Sequence, residues 1–188
     1  MLLVGIDEVG RGCWAGPLVA GAVLLSDSIP GLRDSKKLSK RQRESLDAEI
    51  RVHSLDFGLG WVSPRELDSI GLNNAVKVAM ERAIKEIKVT FDQIIIDGNI
   101  NFLNQDPRSE AVIKADDSVP AVSAASILAK VARDKYMESA ALKYPGFGFE
   151  KHVGYGTKYH MDALKLHGIC ELHRLSFKPI NVIVQSKK

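Results

Sequence analysis

Four carboxylates in this sequence stand where chemistry is usually placed. Asp7 and Glu8 follow an apolar run that starts at Leu2, Asp97 closes Ile94-Ile95-Ile96, and Asp116 follows the short apolar run that starts at Ala111. Ligands of layered α/β structures gather at strand ends, so these acids are expected along one edge of a sheet. No cysteine or clustered histidine lies beside them in the chain. A donor set of carboxylates alone suits hard, oxygen-preferring cations, here Mg2+ or Mn2+. Two such ions about 3.5 to 4 Å apart can activate water on one side of a phosphodiester and stabilise the leaving oxygen on the other. Metal-assisted phosphodiester hydrolysis is the chemistry these residue types point to; the plainer alternative is that each Asp caps the loop after its strand.

The elements that must position the acids follow from hydrophobic periodicity. Residues 2–7 and 18–25 are expected to form two apolar strands, joined through Gly10, Gly12, Gly16 and Pro17 as a hairpin with a glycine-rich connection. Ser39 and Gln42 make a capping box that opens a helix carrying Leu46 and Ile50; residues 55–62 are a third strand, and Ser63-Pro64 starts a short helix. From Asn74 the residues Ala75, Val76, Ala79, Met80 and Ala83 recur at helical spacing on one face. Residues 93–97 and 111–114 supply the remaining strands. Pro120 opens a helix that runs to about Lys143 and is apolar almost all round, which makes it central and buried. Its one polar stripe, Ser123, Ser126, Lys130 and Asp134, falls within roughly 80° of the helix circumference. Either Lys130 and Asp134 simply pair with each other, or the stripe faces a polar cleft. Strands alternating with helices indicate an α/β layer.

A chain of 188 residues, 45% hydrophobic and 26% charged, fits one globular domain. Residues 1–143 are expected to be its core and 144–188 a loop and helical appendage too short for a core of its own. No apolar run approaches the roughly 20 residues that cross a bilayer, so a soluble, cytoplasmic chain with no membrane partner is expected. Cys13 and Cys170 are far apart and are expected to be free thiols. The net charge of +3 hides two basic segments. Arg33, Lys36, Lys37, Lys40, Arg41 and Arg43 face only Asp34 and Glu44; later Lys151, Lys158, Lys165, Arg174, Lys178, Lys187 and Lys188 face only Asp162 and Glu171. Such segments suit an anionic partner such as nucleic acid, or else a solvated helix face.

Several ordered motifs carry a resemblance. Gly5-Ile6-Asp7-Glu8-Val9-Gly10-Arg11-Gly12 resembles the G-I-D-E-x-G-R-G signature of the bacterial type 2 ribonuclease H family, ribonuclease HII. Asp34-Ser35-Lys36-Lys37-Leu38, Ile96-Asp97-Gly98-Asn99, Lys114-Ala115-Asp116, the helix segment from Ser123 to Asp134, Gly154-Tyr155-Gly156-Thr157 and His173-Arg174-Leu175-Ser176-Phe177 follow in the family's order, so the resemblance covers nearly the whole chain. It implies a ribonuclease H-like fold, a mixed central sheet flanked by helices with a short C-terminal helical appendage. It implies an endonuclease that cuts the RNA strand of RNA–DNA hybrids and incises duplex DNA at single embedded ribonucleotides. The family's metal ligands map onto Asp7, Glu8, Asp97 and Asp116; the step to Ser123 selects Asp116 over Asp117. Its junction readers map onto Gly10, Arg11, Gly12 and Tyr155. Glycines allow close approach to a 2′-hydroxyl, the arginine fork can grip a phosphate, and an aromatic ring can stack on a sugar or base. Lys37 is a candidate phosphate contact that positions without reading sequence. One departure is Cys13-Trp14, where family members commonly carry Pro and a small or aliphatic residue.

His160, His167, Cys170 and His173 suggest a zinc reading through an H-x-x-C-x-x-H pattern. Zinc sites need four ligands, ordinarily with a tight turn between pairs, and these residues flank a helix break. Surface or nucleic-acid-contacting histidines are the expectation. Two other functions are weighed against a metal-dependent hybrid ribonuclease acting as a monomer. A catalytically silent nucleic-acid binder of the same fold would lack one of the acids, and an aspartyl-phosphate phosphatase would need D-x-D where this chain has Asp7-Glu8-Val9.

Overall fold

The structure is a computed structural model and describes residues 1–185. Within them five strands form one mixed sheet in the order β3-β2-β1-β4-β5. β1 (Leu3–Val9), β2 (Leu18–Leu24) and β3 (Asp56–Val62) make an antiparallel meander, while β4 (Gln93–Asp97) and β5 (Ser109–Val112) continue the sheet parallel to β1. α1 (Lys40–His53) joins β2 to β3, and α2 (Pro64–Ile70) with α3 (Leu72–Glu86) crosses from β3 to β4. α4 (Ala115–Ser118) and α5 (Pro120–Lys143) follow β5; α6 (Phe149–His152), α7 (Lys158–His167) and α8 (Lys178–Gln185) complete the described chain. This is the mixed α/β architecture the sequence leads one to expect. Among the described residues no helix is long and apolar enough to cross a membrane.

Strand alternation divides the core in two. Val4 and Ile6 of β1, Leu18, Ala20, Ala22 and Leu24 of β2, and Ile94 and Ile96 of β4 pack on the apolar stripe of α3. Each large aliphatic side chain buried this way contributes about 1.5–3 kcal/mol. The other face receives α5, whose Ala124, Ala125, Ile127 and Leu128 also meet Leu38 and Ile50 of the α1 region. α5 is apolar all round because it is wedged between the sheet and α1. Two glycines allow its backbone down onto the strands: a Cβ on Gly5 would lie 2.2 Å from the Ala121 carbonyl carbon, and one on Gly21 would lie 2.5 Å from the Ala125 oxygen. Since Gly21 is the β2 partner of Asp7, this approach brings the α5 stripe to Asp7.

Element boundaries differ from expectation at two acids. β1 runs on to Val9 because its ladder with β2 continues through Glu8↔Ala20 and Val9↔Val19, whereas its ladder with β4 stops at Ile6↔Ile96. Asp7 and Glu8 therefore lie within the strand and mark its end only on the β4 side. β5 ends at Val112 instead of Lys114, since Lys114 adopts the left-handed conformation (φ 59°, ψ 37°) and turns the chain into α4. Asp116 thus stands on a short helix. α5 begins and ends where its sequence signals place it. Lys187 and Lys188 of the second basic segment lie outside the described residues.

Candidate active site

Register and alternation bring the first two acids together. Ile6 and Ile96 are parallel partners whose side chains face α3. The next residue on each strand, Asp7 and Asp97, must then lie abreast and point to the α5 side. Asp116 reaches them from α4. Asp97 Oδ1 accepts the Ala115 N–H at 2.8 Å, and Ser123 Oγ of α5 donates to the Asp116 carbonyl at 2.5 Å. One carboxylate oxygen from each of Asp7, Asp97 and Asp116 lies within 4.8 Å of the others. The adjacent Asp117 turns outward, with Oδ1 2.5 Å from Lys37 Nζ. Glu8 is not drawn into the group of three: alternation points it to the opposite face, and its Oε1 is 3.2 Å from Arg11 Nη1.

The electrostatics of this group are unbalanced. Burial, followed by the charges of Glu8 and Asp97, holds the Asp7 carboxyl well above the usual carboxylate range, against the Ser126 hydroxyl and the Glu8 N–H. Burial also raises Glu8, with Arg11 opposing. Asp116 is raised by burial and then by Asp97 and Asp34, with Lys36 opposing from 3.9 Å. A buried set of mutually repelling carboxylates with one distant ammonium is short of positive charge. The donor set, all oxygen and all anionic, fits a hard divalent cation.

The acids open onto a cleft of about 290 Å3 lined by Asp7, Glu8, Gly10, Arg11, Gly12, Lys130 and Tyr155. Asp97 and Asp116 line an adjoining depression, and Lys36 borders both. Both readings of the α5 stripe hold together: Lys130 Nζ is 2.9 Å from Asp134 Oδ1, and it also faces the cleft, 5.9 Å from the Tyr155 ring centre. Ser126 Oγ lies 2.7 Å from Ser35 Oγ, fastening the 3₁₀ turn Ser35–Lys37 beside the site. Arg43 anchors the same turn through the Ser35 and Leu38 carbonyls.

The description of ribonuclease HII matches residues 4–180 of this chain. This chain belongs to the ribonuclease HII family. Ribonuclease HII of Shewanella loihica is 46% identical over 180 residues, which cover 94% of this chain and 86% of that one. Ribonuclease H2 of Pyrococcus horikoshii superposes with a TM-score of 0.85 at 27% identity, covering 99% of this chain and 98% of that one. Ribonuclease HII of Archaeoglobus fulgidus, solved in complex with PCNA, superposes with a TM-score of 0.82 at 32% identity, covering 95% and 96%. Family membership carries the activity of a metal-dependent endoribonuclease.

In this ribonuclease HII the glycine-rich turn is set by two arginines that sequence reasoning did not single out for that purpose. Arg174 is fully buried and donates to the carbonyls of Gly10 (2.6 Å), Arg11 (3.2 Å) and Gly16 (2.9 Å). Arg133 of α5, equally buried, donates to those of Pro17, Ala15 and Val153 at 2.8, 3.0 and 2.8 Å. Arg174 is therefore no part of a basic surface; burial lowers its pKa to about 10. Of the histidines expected at the surface, His167 is exposed, whereas His160 and His173 are 0% and 2% exposed and pack with His152, 7% exposed, among Phe147, Phe149 and Trp14. Among the described residues the group of three aspartates is the one with metal-ligand geometry, and no histidine or cysteine joins it. One signal for His160 was legible, since it shares a helical face with Ala163 and Leu164. Cys13 is buried below the turn, and Trp14 lies against Gly156, where a Cβ would come within 2.1 Å of the indole.

Proposed function

We propose that the chain hydrolyses the RNA strand of RNA–DNA hybrids and incises duplex DNA at single embedded ribonucleotides, with Asp7, Asp97 and Asp116 holding Mg2+ or Mn2+ and Glu8 as a further donor once it leaves Arg11. The observation that carries this reading is that the cleft holding Asp7, Glu8, the Gly10-Arg11-Gly12 turn and Tyr155 adjoins the depression of Asp97 and Asp116, whose carboxylates meet that of Asp7. A divalent cation bound there supplies charge stabilisation at the phosphodiester and a lowered pKa of water. The protein's own groups do the rest. Arg174 takes up the carbonyls of the turn from behind, which fixes the backbone of Gly10 and Gly12 where it can approach a 2′-hydroxyl. Arg11 can exchange Glu8 for a phosphate, and Tyr155, 41% exposed, offers a ring face for stacking on the neighbouring sugar or base. Lys37 can add a phosphate contact once it leaves Asp117. All of these groups come from a single chain, which supports action as a monomer.

The test uses three duplexes, one all DNA, one with a single ribonucleotide and one RNA–DNA hybrid, each incubated with Mg2+ or Mn2+ and the cuts mapped. Cleavage is expected in the hybrid and at the ribonucleotide, with none in the all-DNA duplex. Asp97→Asn should leave the fold intact and lower cleavage of both substrates by orders of magnitude. Near-normal turnover of Asp97→Asn at saturating cation would remove Asp97 from the site.

A further inference from the structure

Tyr155 stands on a loop held in a strained shape. Val153 has φ 44°, a left-handed conformation that a β-branched residue avoids, and Gly154 follows at φ 89°. Nor is there room for a side chain at Gly154, where a Cβ would lie 2.2 Å from the Ala15 oxygen. Such strain persists only where the surroundings over-determine it. Three histidines do so from inside the molecule. The Gly154 N–H donates to His152 Nδ1 at 3.2 Å and the Tyr155 N–H to the His152 carbonyl at 2.9 Å. The Tyr155 carbonyl lies 2.9 Å from His160 Nδ1. His160 Nε2 is in turn 3.0 Å from His173 Nε2, whose Nδ1 is 2.9 Å from the Cys170 nitrogen.

These contacts fix the protons. A carbonyl only accepts, so His160 carries its proton on Nδ1 and is bare at Nε2. His173 must then donate from Nε2 to His160 and accept the Cys170 N–H at Nδ1. His152 accepts from Gly154 at Nδ1 and donates from Nε2 to the Phe147 carbonyl at 2.8 Å. Every ring nitrogen is used and all three rings are neutral. A proton added by acid goes to a nitrogen that already faces an N–H. The groups around the chain offer little charge to offset it: His152 stacks on His160 at 4.4 Å, Trp14, Phe147 and Phe149 close the sides, the Cys170 thiol and carbonyl lie 3.3 and 3.2 Å from His173 Nδ1, and Glu150 acts only on His152. Burial accordingly lowers His160 and His173 to about 4.

We infer that His160, seated by His173, is a positioning residue for Tyr155, and that this neutral histidine chain sets the enzyme's preference for single embedded ribonucleotides over long hybrids. The inference rests on Tyr155 reading the junction, as proposed above. Ring-15N spectra of the full chain should show His160 as the Nδ1–H tautomer and His152 and His173 as Nε2–H. Any of the three rings titrating near the ordinary value of about 6.5 overturns the inference. In cleavage assays His160→Phe, similar in shape but without the donor, should lower incision at a single ribonucleotide about two- to tenfold more than hybrid cleavage, the range of one hydrogen bond. His160→Asn, which keeps an amide donor near the Nδ1 position, should restore the ratio. Tyr155→Ala, run beside them, should favour the hybrid by about five- to 150-fold. Equal losses for Tyr155→Ala on both substrates overturn the junction reading and the inference with it. A shifted ratio for Tyr155→Ala with none for His160→Phe overturns the inference alone. If His160→Phe does not fold, the spectra and His160→Asn decide, and a hybrid-favouring ratio in the Asn variant counts against the positioning role.

Discussion

The carboxylates around Asp7 and the cluster around Arg174 and His160 both take titratable side chains out of water, but the acids keep their hydrogen bonds and are left short of positive charge, whereas the cluster is satisfied throughout. Arg174 meets three carbonyls, Arg133 meets three more, and each histidine nitrogen has its hydrogen bond. The aspartates instead face one another, and Asp7 and Asp116 are both held protonation-prone by burial and by neighbouring acids. Buried polarity that is satisfied internally serves shape, and buried polarity left short of its counter-charge marks where a ligand belongs. The satisfied region holds the Gly10-Arg11-Gly12 turn and the backbone of Tyr155, which line the same cleft as Asp7, so on the proposed reading it keeps the reader rigid beside the unsatisfied one.

The sharpest way to break this contrast lies within two adjacent residues. Asp116→Asn should lower cleavage by orders of magnitude, whereas Asp117→Asn, which loses only an exposed pairing with Lys37, should stay within a few-fold of the parent. Initial rates on the hybrid decide it, and the reverse order would overturn the assignment of Asp116. Next in size is stability. Arg174→Met leaves the Gly10, Arg11 and Gly16 carbonyls buried without a donor and should cost about 2–4 kcal/mol in urea unfolding. Asp7→Asn should do the opposite and stabilise the cation-free protein, since it removes one of several buried like charges. If both variants destabilise alike, the two regions do not differ as described.

In the cation-free protein the smallest net effect is a pH dependence, because its parts have opposite signs. His160 and His173 fall from an unfolded value of about 6.5 to about 4 in the folded chain. Their contribution is fully present above the unfolded value and is lost as pH falls towards the folded one, by up to about 1.4 kcal/mol per pH unit for each ring. Asp7, Glu8 and Asp116 are raised on folding, so their contribution is present in acid and lost as pH rises through the folded values. Melts of the cation-free protein across this range should show the two trends offsetting. Saturating Mg2+ should remove the carboxylate trend and expose the histidine one; a Mg2+-bound protein whose stability is flat between about pH 6.5 and 4.5 would contradict the histidine assignment.

How much of this was legible in the chain depends on the distance over which each residue finds its partner. Asp7 and Asp97 could be read because each ends a local apolar run, and period-two alternation then forces them onto one face. The same alternation separates Glu8 from Asp7, a consequence the run of two acids conceals until strand β1 is known to continue to Val9. Asp116 was harder: its placement depends on the left-handed turn at Lys114, and lysine carries no signal for that conformation. Ser126 and Lys130 showed themselves as a polar stripe on a buried helix, with the cleft they face left open. Arg174 was illegible as a core residue because its partners lie up to 164 residues away, and a charge in a basic tail looks the same whether it is dissolved or buried.

That long reach has a consequence for the chain as it is made. Asp7, Asp97 and Asp116 are all in place once α5 has been synthesised, yet the carbonyl of Gly10 finds its guanidinium only when Arg174, 164 residues later, has left the ribosome. A nascent chain thus holds all three aspartates well before it holds the guanidinium that seats the glycine-rich turn. On the proposed reading, discrimination waits on a residue made long after the turn that it holds.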